Sequence, residues 1–322
     1  MKLLNDIFLN SLVHLISYYI VCLTLAIMKD LRVALVQEAP ILFDLSGTLD
    51  KVDVLLGQAK SQGAEFALFP EAFISAYPRG ITFGTVVGSR SKMGRAMWQR
   101  YHDSSLDLNA QSFLDLANIV KKNGIYCCIG VIERVQSGTL YCTLLYFDPR
   151  GKCIGKHRKI KPTAAERIVW GEGDGTDLLV YDTSLGKIGG LICWENYMPQ
   201  ARMRLYDQEI EIYVAPTADH RDSWQHTIRH IAMEGRCFVL SCNQFVTRED
   251  YPLDLPGEAV EKLPNILSRG GSTVIDPLGN LLVDPLWDTG GIIYAHLSSD
   301  LLIQSKMDFD VTGHYARKDI FS

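Results

Sequence analysis

The chain has 322 residues, 47% of them hydrophobic and 21% charged, which is enough apolar material for a large folded core. Its net charge of −5 offers no basic surface, so nucleic acid is excluded as an expected partner. The eight cysteines lack the C-x-x-C spacing of zinc sites, and most lie in apolar, strand-like runs. This usage is typical of free thiols, and it predicts a cytoplasmic protein without a metal.

The beginning of the chain differs from the rest. Residues 7–27 have the length of a membrane span, but several polar residues interrupt them. Two interpretations of residues 1–28 stay open: a hydrophobic tail that reflects a wrongly assigned start, with translation beginning at Met28, or a membrane anchor. The polar interruptions favour the first. No Pro- or Ser-rich linker divides residues 29–322, so they are predicted to form one domain.

Strand-like and helical periods alternate along the first half of this domain. The predicted elements are a strand at 31–37, a helix at 48–61, a strand at 65–69, a long loop with a short helix at 76–106, a helix at 108–122, and strands at 125–132, 141–147 and 152–159. The last two strands flank Asp148-Pro149-Arg150-Gly151, a strong turn signal.

The second half repeats this alternation. Its predicted elements are a strand at 188–193, a helix from 199 to about 208, a strand at 211–215, a helix at 223–235, a strand at 238–243, and a hairpin of strands 272–275 and 280–284. Asp276-Pro277-Leu278-Gly279 turns that hairpin, as its counterpart does in the first half. Two such hairpins suggest two related halves, each a sheet covered by helices, and therefore an α/β protein.

Two charged side chains stand at the ends of predicted strands. Glu71 follows the apolar run Phe66-Ala67-Leu68-Phe69-Pro70, and burial there would raise its pKa and suit it to proton transfer near neutral pH. Lys159 ends the second arm of the first hairpin, in His157-Arg158-Lys159. Taken alone, each position fits an ordinary solvated residue better than a catalytic one.

Cys193 lies at the end of a third apolar run. Pro199 can start a helix soon after it, because the first helical position needs no N–H group. The positive end of that helix is expected to lower the thiol pKa and favour the reactive thiolate. A buried structural cysteine is the alternative.

Together, these three stretches resemble the nitrilase, or carbon–nitrogen hydrolase, superfamily from about residue 31 to residue 322. The catalytic set of that family is Glu, Lys and Cys in chain order, which matches Glu71 in F-P-E-A-F, Lys159 in H-R-K-I-K-P-T and Cys193 in C-W-E-N. A second family glutamate matches Glu166 in P-T-A-A-E-R. The sequence C-W-E followed by N points to true nitrilases rather than to the amidase branches.

The resemblance implies a four-layer αββα sandwich with the site between sheet ends, and neither metal nor cofactor. It implies hydrolysis of an organic nitrile, with water, to a carboxylic acid and ammonia through a thioimidate and a thioester on the cysteine. Stretches such as I-C-W-E-N-Y-M-P resemble the plant-type and arylacetonitrile-type branch, in which some members release part of the product as amide. Dimers or larger, spiral assemblies of the same chain are implied as well.

The chemistry of nitriles suggests a role for each matched residue. A thiolate at Cys193 would attack the weakly electrophilic carbon, and Lys159 would stabilise the negative charge that develops on nitrogen. Glu71 suits both proton donation and proton abstraction. By its match to the family, Glu166 would position Lys159 or a water.

Two aromatic residues are candidates for substrate binding. Trp194 follows the nucleophile, so its backbone N–H is placed to bind the oxyanion and its ring to limit substrate size. Tyr77 stands six residues after Glu71, where it either walls the pocket or packs as an ordinary loop tyrosine. His226 and His230 are four apart on a predicted helix, but without an H-E-x-x-H pattern they do not predict a metal site.

Three alternative functions remain. An amidase or carbamoylase of the same superfamily would use the same residues on a carbonyl, against which Trp194-Glu195 argues. A membrane-anchored acyltransferase would need more than one doubtful segment, and a non-catalytic scaffold would not need the intact catalytic set. The loops at 81–106 and 247–268 carry scattered apolar residues that either contact another copy or fold over the chain's own pocket.

Overall fold

The computed structural model describes residues 28–256 and 259–321, so the predicted tail, including residues 7–27, lies outside the described part. The strands are β1 (Leu31–Gln37), β2 (Phe66–Leu68), β3 (Tyr126–Arg134), β4 (Leu140–Phe147), β5 (Cys153–Arg158), β6 (Tyr181–Thr183), β7 (Gly186–Gly190), β8 (Ile212–Thr217), β9 (Phe238–Asn243), β10 (Phe245–Thr247), β11 (Ile266–Ile275), β12 (Leu281–Trp287) and β13 (Gly291–Leu297). The helices are α1 (Leu45–Ser61), α2 (Lys92–Asp103), α3 (Gln111–Asn123), α4 (Pro199–Tyr206), α5 (Asp222–Gly235) and α6 (Asp300–Ser305). None of the helices in these two ranges is long and apolar enough to cross a membrane.

The strands form two mixed sheets. The first has the order β13-β1-β2-β3-β4-β5, and the second has the order β10-β11-β9-β8-β7-β6 with β12 paired to β11. Neighbours β1, β2 and β3 are parallel, and so are β7, β8 and β9. Because the carboxyl ends of parallel neighbours meet at one edge of a sheet, each sheet presents one such edge where loop residues converge.

Alternation along β1 shows how the layers pack. Val33 and Leu35 belong to an apolar cluster that also contains Val214 of β8, so this face meets the second sheet. Ala34 and Val36 point the other way, into a cluster shared with α1 and α3. Burial of both faces explains why the strand reads as a continuous apolar run.

The second sheet is covered in the same way. An outer cluster joins Tyr213 of β8 and Val239 of β9 to Leu205 of α4 and Ile228 of α5. The order of layers is therefore helix, sheet, sheet, helix. The α/β fold class and its four-layer αββα form are confirmed.

Several elements differ from the sequence prediction. Strand β13 was not predicted, yet it pairs antiparallel with β1 over its whole length, from Leu31 opposite Leu297 to Gln37 opposite Gly291. Its residues Ile292, Ile293 and Tyr294 favour strands, so a local signal was present in the sequence, and the long-range pairing with β1 adds to the stability of the strand. The strand predicted to reach Cys193 ends at Gly190, and Cys193–Tyr197 form a single 3₁₀ turn before α4.

We expect Gly130→Ala to lower the melting temperature, because β3 approaches the Glu71 segment too closely for a side chain. A Cβ at Gly130 would lie 2.2 Å from the carbonyl oxygen of Pro70 and 2.6 Å from the amide nitrogen of Ala72. Relieving such overpacking costs about 1–3 kcal/mol of unfolding free energy. Differential scanning calorimetry measures the effect.

The matched control is Gly57→Ala in α1. There the nearest atom to a new Cβ is Asn123 Oδ1 at 3.4 Å, an ordinary contact. Alanine is favoured over glycine in a helix interior by about 1 kcal/mol, so this variant should melt at or above the wild-type temperature. A Gly130→Ala protein that melts with the wild type would refute the close approach.

Candidate active site

Polar side chains from both sheets meet where the parallel strands end. Glu71 follows β2, Cys193 follows β7, and Thr217 is the last residue of β8. Lys159 directly follows β5 at the edge of the first sheet. A cavity of about 240 Å³ opens there, and Tyr77, Glu166, Cys193 and Trp194 are among its lining residues. The structure thus brings all six predicted site residues into one region.

Glu71 is buried, with 1% of its surface exposed. Its Oε1 accepts a hydrogen bond from Lys159 Nζ at 2.6 Å and one from the thiol of Cys142 at 3.6 Å. Its Oε2 is also buried and has no hydrogen-bond partner among the described residues. Burial raises the pKa of Glu71, although the charge of Lys159 opposes the rise. The result is a carboxyl group with one oxygen held and the other available to a proton.

Lys159 has no exposed surface and lies between two carboxylates. Besides Glu71, its Nζ donates to Glu166 Oε2 at 2.7 Å, and the ring of Trp170 lies 5.6 Å away. Burial disfavours a charged lysine, but Glu71 and the other acidic neighbours raise the pKa of Lys159 well above its usual value. Lys159 is therefore a fixed cation rather than a proton donor.

Glu166 lies on a 3₁₀ turn, Ala164–Ile168, and its side chain reaches back to cap that turn. Its Oε2 accepts from the backbone N–H of Thr163 at 2.6 Å, in addition to Lys159. Its Oε1 accepts from the hydroxyl of Tyr77 at 2.7 Å. Tyr77 lines the cavity, and its hydroxyl orients Glu166. It is thus both a pocket residue and a tyrosine that is packed and bonded within the chain.

Cys193 adopts a left-handed backbone conformation, with φ of 52°, which is uncommon for a residue other than glycine. Asn196 holds the turn by donating from Nδ2 to the carbonyl oxygens of Cys193 and Leu191. The hydroxyl of Thr217 donates to Cys193 Sγ at 3.1 Å. The thiol is thus presented on a tight, internally bonded turn.

The expected lowering of the Cys193 pKa is wrong. Burial, followed by the negative charge of Glu71, raises the pKa of Cys193 to about 12, and Lys159 and Thr217 only partly offset this. Helix α4 starts at Pro199, one 3₁₀ turn beyond the cysteine. The thiol is therefore neutral near pH 7, and a base has to remove its proton when it reacts.

Trp194 is half-exposed at the cavity. Its Nε1 donates to Asp219 Oδ2 at 2.9 Å, and the guanidinium of Arg221 lies 4.7 Å from its ring centroid. Arg221 in turn forms an ion pair with Asp219. These contacts fix the indole ring, so that it forms a rigid part of the cavity wall.

Arg79 adds a charge to the cavity that the sequence pattern did not indicate. Its guanidinium donates to the carbonyl oxygen of Ala218 and lies 5.3 Å from the ring centroid of Tyr77. No carboxylate in residues 28–256 or 259–321 forms an ion pair with it. By contrast, the cavity residues Glu166 and Asp219 are already paired with Lys159 and Arg221.

Thr217 and Cys142 were also missed. Thr217 ends β8, which runs parallel to β7, the strand before Cys193, so the rule that the ends of parallel strands converge could have predicted its place in the site. Cys142 lies inside β4, where nothing in the sequence distinguishes it from the other buried cysteines.

Comparison with known proteins gives consistent matches. The carbon–nitrogen hydrolase family model matches residues 32–307. The chain is 49% identical over 297 residues to a bifunctional nitrilase/nitrile hydratase of Nicotiana tabacum, covering 90% of this chain and 84% of that protein. It is 44% identical over 307 residues to an arylacetonitrilase of Trametes versicolor, covering 91% and 96%. A carbon–nitrogen hydrolase from Helicobacter pylori G27 has the same fold, with a TM-score of 0.71 at 19% identity, covering 91% and 97%.

Proposed function

The chain belongs to the carbon–nitrogen hydrolase family, and we propose that residues 29–322 form a nitrilase that converts an organic nitrile and two waters into a carboxylic acid and ammonia. One observation carries the proposal: Cys193 and Glu166 line one cavity, and Glu166 binds the buried cation Lys159, whose other partner, Glu71, has one oxygen without a hydrogen-bond partner among the described residues. Two similar proteins whose names state activity on nitriles support nitriles over amides as substrates.

The first step is attack of Cys193 Sγ on the nitrile carbon. A bond forms between sulfur and carbon, one π bond of the nitrile breaks, and its electron pair moves to nitrogen. The thiol proton passes to Glu71, the buried carboxyl group with an unpartnered oxygen, and from there to the nitrogen. Lys159 stabilises the charge that develops on nitrogen, so the product is a neutral thioimidate.

Hydrolysis completes the reaction in two further stages. A water loses a proton to Glu71 and adds to the thioimidate carbon as the carbon–nitrogen π bond breaks, and Glu71 passes that proton to the nitrogen. The hydroxyl of this tetrahedral adduct then gives its proton, through Glu71, to the amino group as the carbon–nitrogen bond breaks, which releases ammonia and leaves a thioester. A second water attacks the thioester, releases the acid and returns the proton to Cys193. Glu166 and Tyr77 keep Lys159 in place throughout, because Tyr77 orients the carboxylate that binds it. Trp194 limits the size of the substrate.

The charge of Arg79 bears on the choice of nitrile. Arg79 lines the cavity, and its guanidinium has no carboxylate partner among the described residues, so it can bind an anionic group of the substrate through charge-assisted hydrogen bonds. We therefore propose that nitriles carrying a carboxylate are preferred over neutral nitriles of the same shape. The cavity volume of about 240 Å³ suits small substrates of this kind.

Self-association and location complete the proposal. Val86, Val87 and Leu253 are exposed, as a contact between copies requires, whereas Met97, Leu255 and Val260 pack into the chain's own core. We propose dimers or larger, spiral assemblies that use these exposed residues.

A cytoplasmic location agrees with the seven free cysteines of the described residues. The net charge of −5 argues against nucleic acid as a partner.

Cys193→Ala is expected to abolish ammonia release from nitriles, because no other group can form the covalent intermediate. Cys237→Ala, which removes a buried thiol elsewhere in the fold, is the control and should keep most of the activity. The assay measures ammonia from a panel of nitriles and from the matching amides. Activity of the wild type on amides alone would favour the amidase alternative, and an active Cys193→Ala variant would end the proposal.

Arg79→Gln is expected to remove the preference for an anionic nitrile. With 3-cyanopropanoate as substrate, kcat/KM should fall about 10–100-fold, the range for losing a hydrogen bond to a charged group. With the neutral isostere 4-methylpentanenitrile it should stay nearly constant. A wild type that prefers the neutral nitrile, or equal losses on both, would contradict the role of Arg79 and leave the nitrilase proposal intact.

Light scattering over a range of concentrations tests the assembly. The proposal predicts a mass of at least two 36.1 kDa chains, together with a shift toward smaller species in Val87→Glu, since Val87 is fully exposed in the single chain. A monomer that stays fully active at every concentration is the contrary result.

A further inference from the structure

Glu195 is a buried acid that takes no part in the reaction steps above. It lies two residues after Cys193, on the same 3₁₀ turn. Its Oε2 accepts from the backbone N–H of Ile192 at 2.8 Å, and its Oε1 accepts from the backbone N–H of Ile160 at 2.5 Å. The Glu195 carboxylate thus binds the backbone of Ile192, directly before Cys193, and the backbone of Ile160, directly after Lys159.

His157 extends this contact to the other side of Lys159. Its Nε2 lies 3.1 Å from Glu195 Oε2, and its Nδ1 lies 3.0 Å from Asp177 Oδ1. Burial opposes a charge on the ring, but Glu195 and Asp177 raise the pKa of His157 to about 10. At neutral pH both ring nitrogens are therefore N–H donors, one to each carboxylate.

These contacts cross from one sheet to the other. His157 is in β5 of the first sheet, whereas Glu195 follows β7 of the second. The apolar core between the sheets is attractive but not directional, so it does not by itself set the distance between two particular side chains. Hydrogen bonds can set such a distance, because they are specific in length and angle. Neither His157 nor Glu195 is among the residues that line the cavity.

We propose that Glu195, together with His157, is a positioning group that holds Lys159 and Cys193 at their working separation across the two sheets. The role rests on the proposed function, since it acts through the cation and the nucleophile assigned there. Misplacing a catalytic group by about 1 Å can cost on the order of 100-fold in rate, so the effect of losing this contact should appear in kcat.

Glu133 provides a matched control on the same strand. It is also buried, and it accepts hydrogen bonds from Lys156 Nζ, Arg158 Nε and the hydroxyl of Thr143. It therefore anchors β5 as Glu195 does, but it makes no contact with the cysteine turn. A residue with a purely structural role would behave like Glu133.

The first experiment compares Glu195→Gln with Glu133→Gln. Glu195→Gln should lower kcat about 10–100-fold with KM nearly unchanged, because the amide cannot accept at both positions and the pocket is untouched. Glu133→Gln should lower the melting temperature by a similar amount and keep kcat within about 3-fold of wild type. His157→Gln breaks the same contact from the other sheet and should reproduce the loss of kcat, so it serves if Glu195→Gln does not fold.

The second experiment follows the alkylation of Cys193 by iodoacetamide, with the modified peptide quantified by mass spectrometry. Lys159 lowers the pKa of this thiol, so both Lys159→Met and Glu195→Gln should slow the reaction. If Glu195 acts through Lys159, the double variant should be no slower than Lys159→Met alone.

Additive losses in this cycle, or wild-type kcat in both Glu195→Gln and His157→Gln, would overturn the positioning role. Equal losses of kcat in Glu195→Gln and Glu133→Gln would do so as well. If the wild type hydrolyses no nitrile, the proposed function fails, while the alkylation cycle still decides whether Glu195 positions Lys159 beside Cys193.

Discussion

The buried ion pair between Lys159 and Glu71 is the contact on which the site depends. Both side chains are sealed from water and lie 2.6 Å apart, with Glu166 as the second partner of the lysine. Removing water from such charges is costly, and breaking a buried pair by deleting one partner typically costs about 3–5 kcal/mol. Each charge is stabilised by its partners, so Lys159 stays protonated. Glu71 uses one oxygen to bind Lys159 and has the other available to accept or donate a proton.

The positions of Glu71 and Lys159 determine at which point of the proposed reaction Cys193 loses its proton. With a pKa raised to about 12, Cys193 is a neutral thiol near pH 7 rather than a thiolate. In the proposed mechanism its proton leaves as the sulfur attacks, and the acceptor is Glu71, whose own pKa is raised by burial. Deprotonation and attack are therefore coupled, and the developing negative charge meets a cation that is already in position. The proposed mechanism therefore relies on the placement of Lys159 and Glu71 rather than on a permanently ionised nucleophile.

The sequence predicted those helices and strands whose own residues show a clear hydrophobic pattern. Strand β1 was predicted with the observed ends, because Leu31–Gln37 is a mostly apolar run with polar residues on either side of it. The contacts of Glu195 were missed because they depend on partners far away in the chain. Strand β13 was missed although Ile292, Ile293 and Tyr294 favour a strand. Short motifs were enough to predict the residues that meet at the cavity, but not the pKa of Cys193. A helix start is visible in the sequence, whereas burial beside Glu71 is a property of the assembled sheets.

The most direct test of the account is identification of the covalent intermediate. Enzyme quenched with acid during turnover of a nitrile, digested and analysed by tandem mass spectrometry, should carry the acyl or imidoyl group of the substrate on the peptide that contains Cys193. Glu71→Gln should show little of this adduct under the same conditions, because the thiol then has no proton acceptor. An adduct on Cys142 or any other cysteine, or ammonia release without an adduct on Cys193 in rapidly quenched samples, would contradict the assignment.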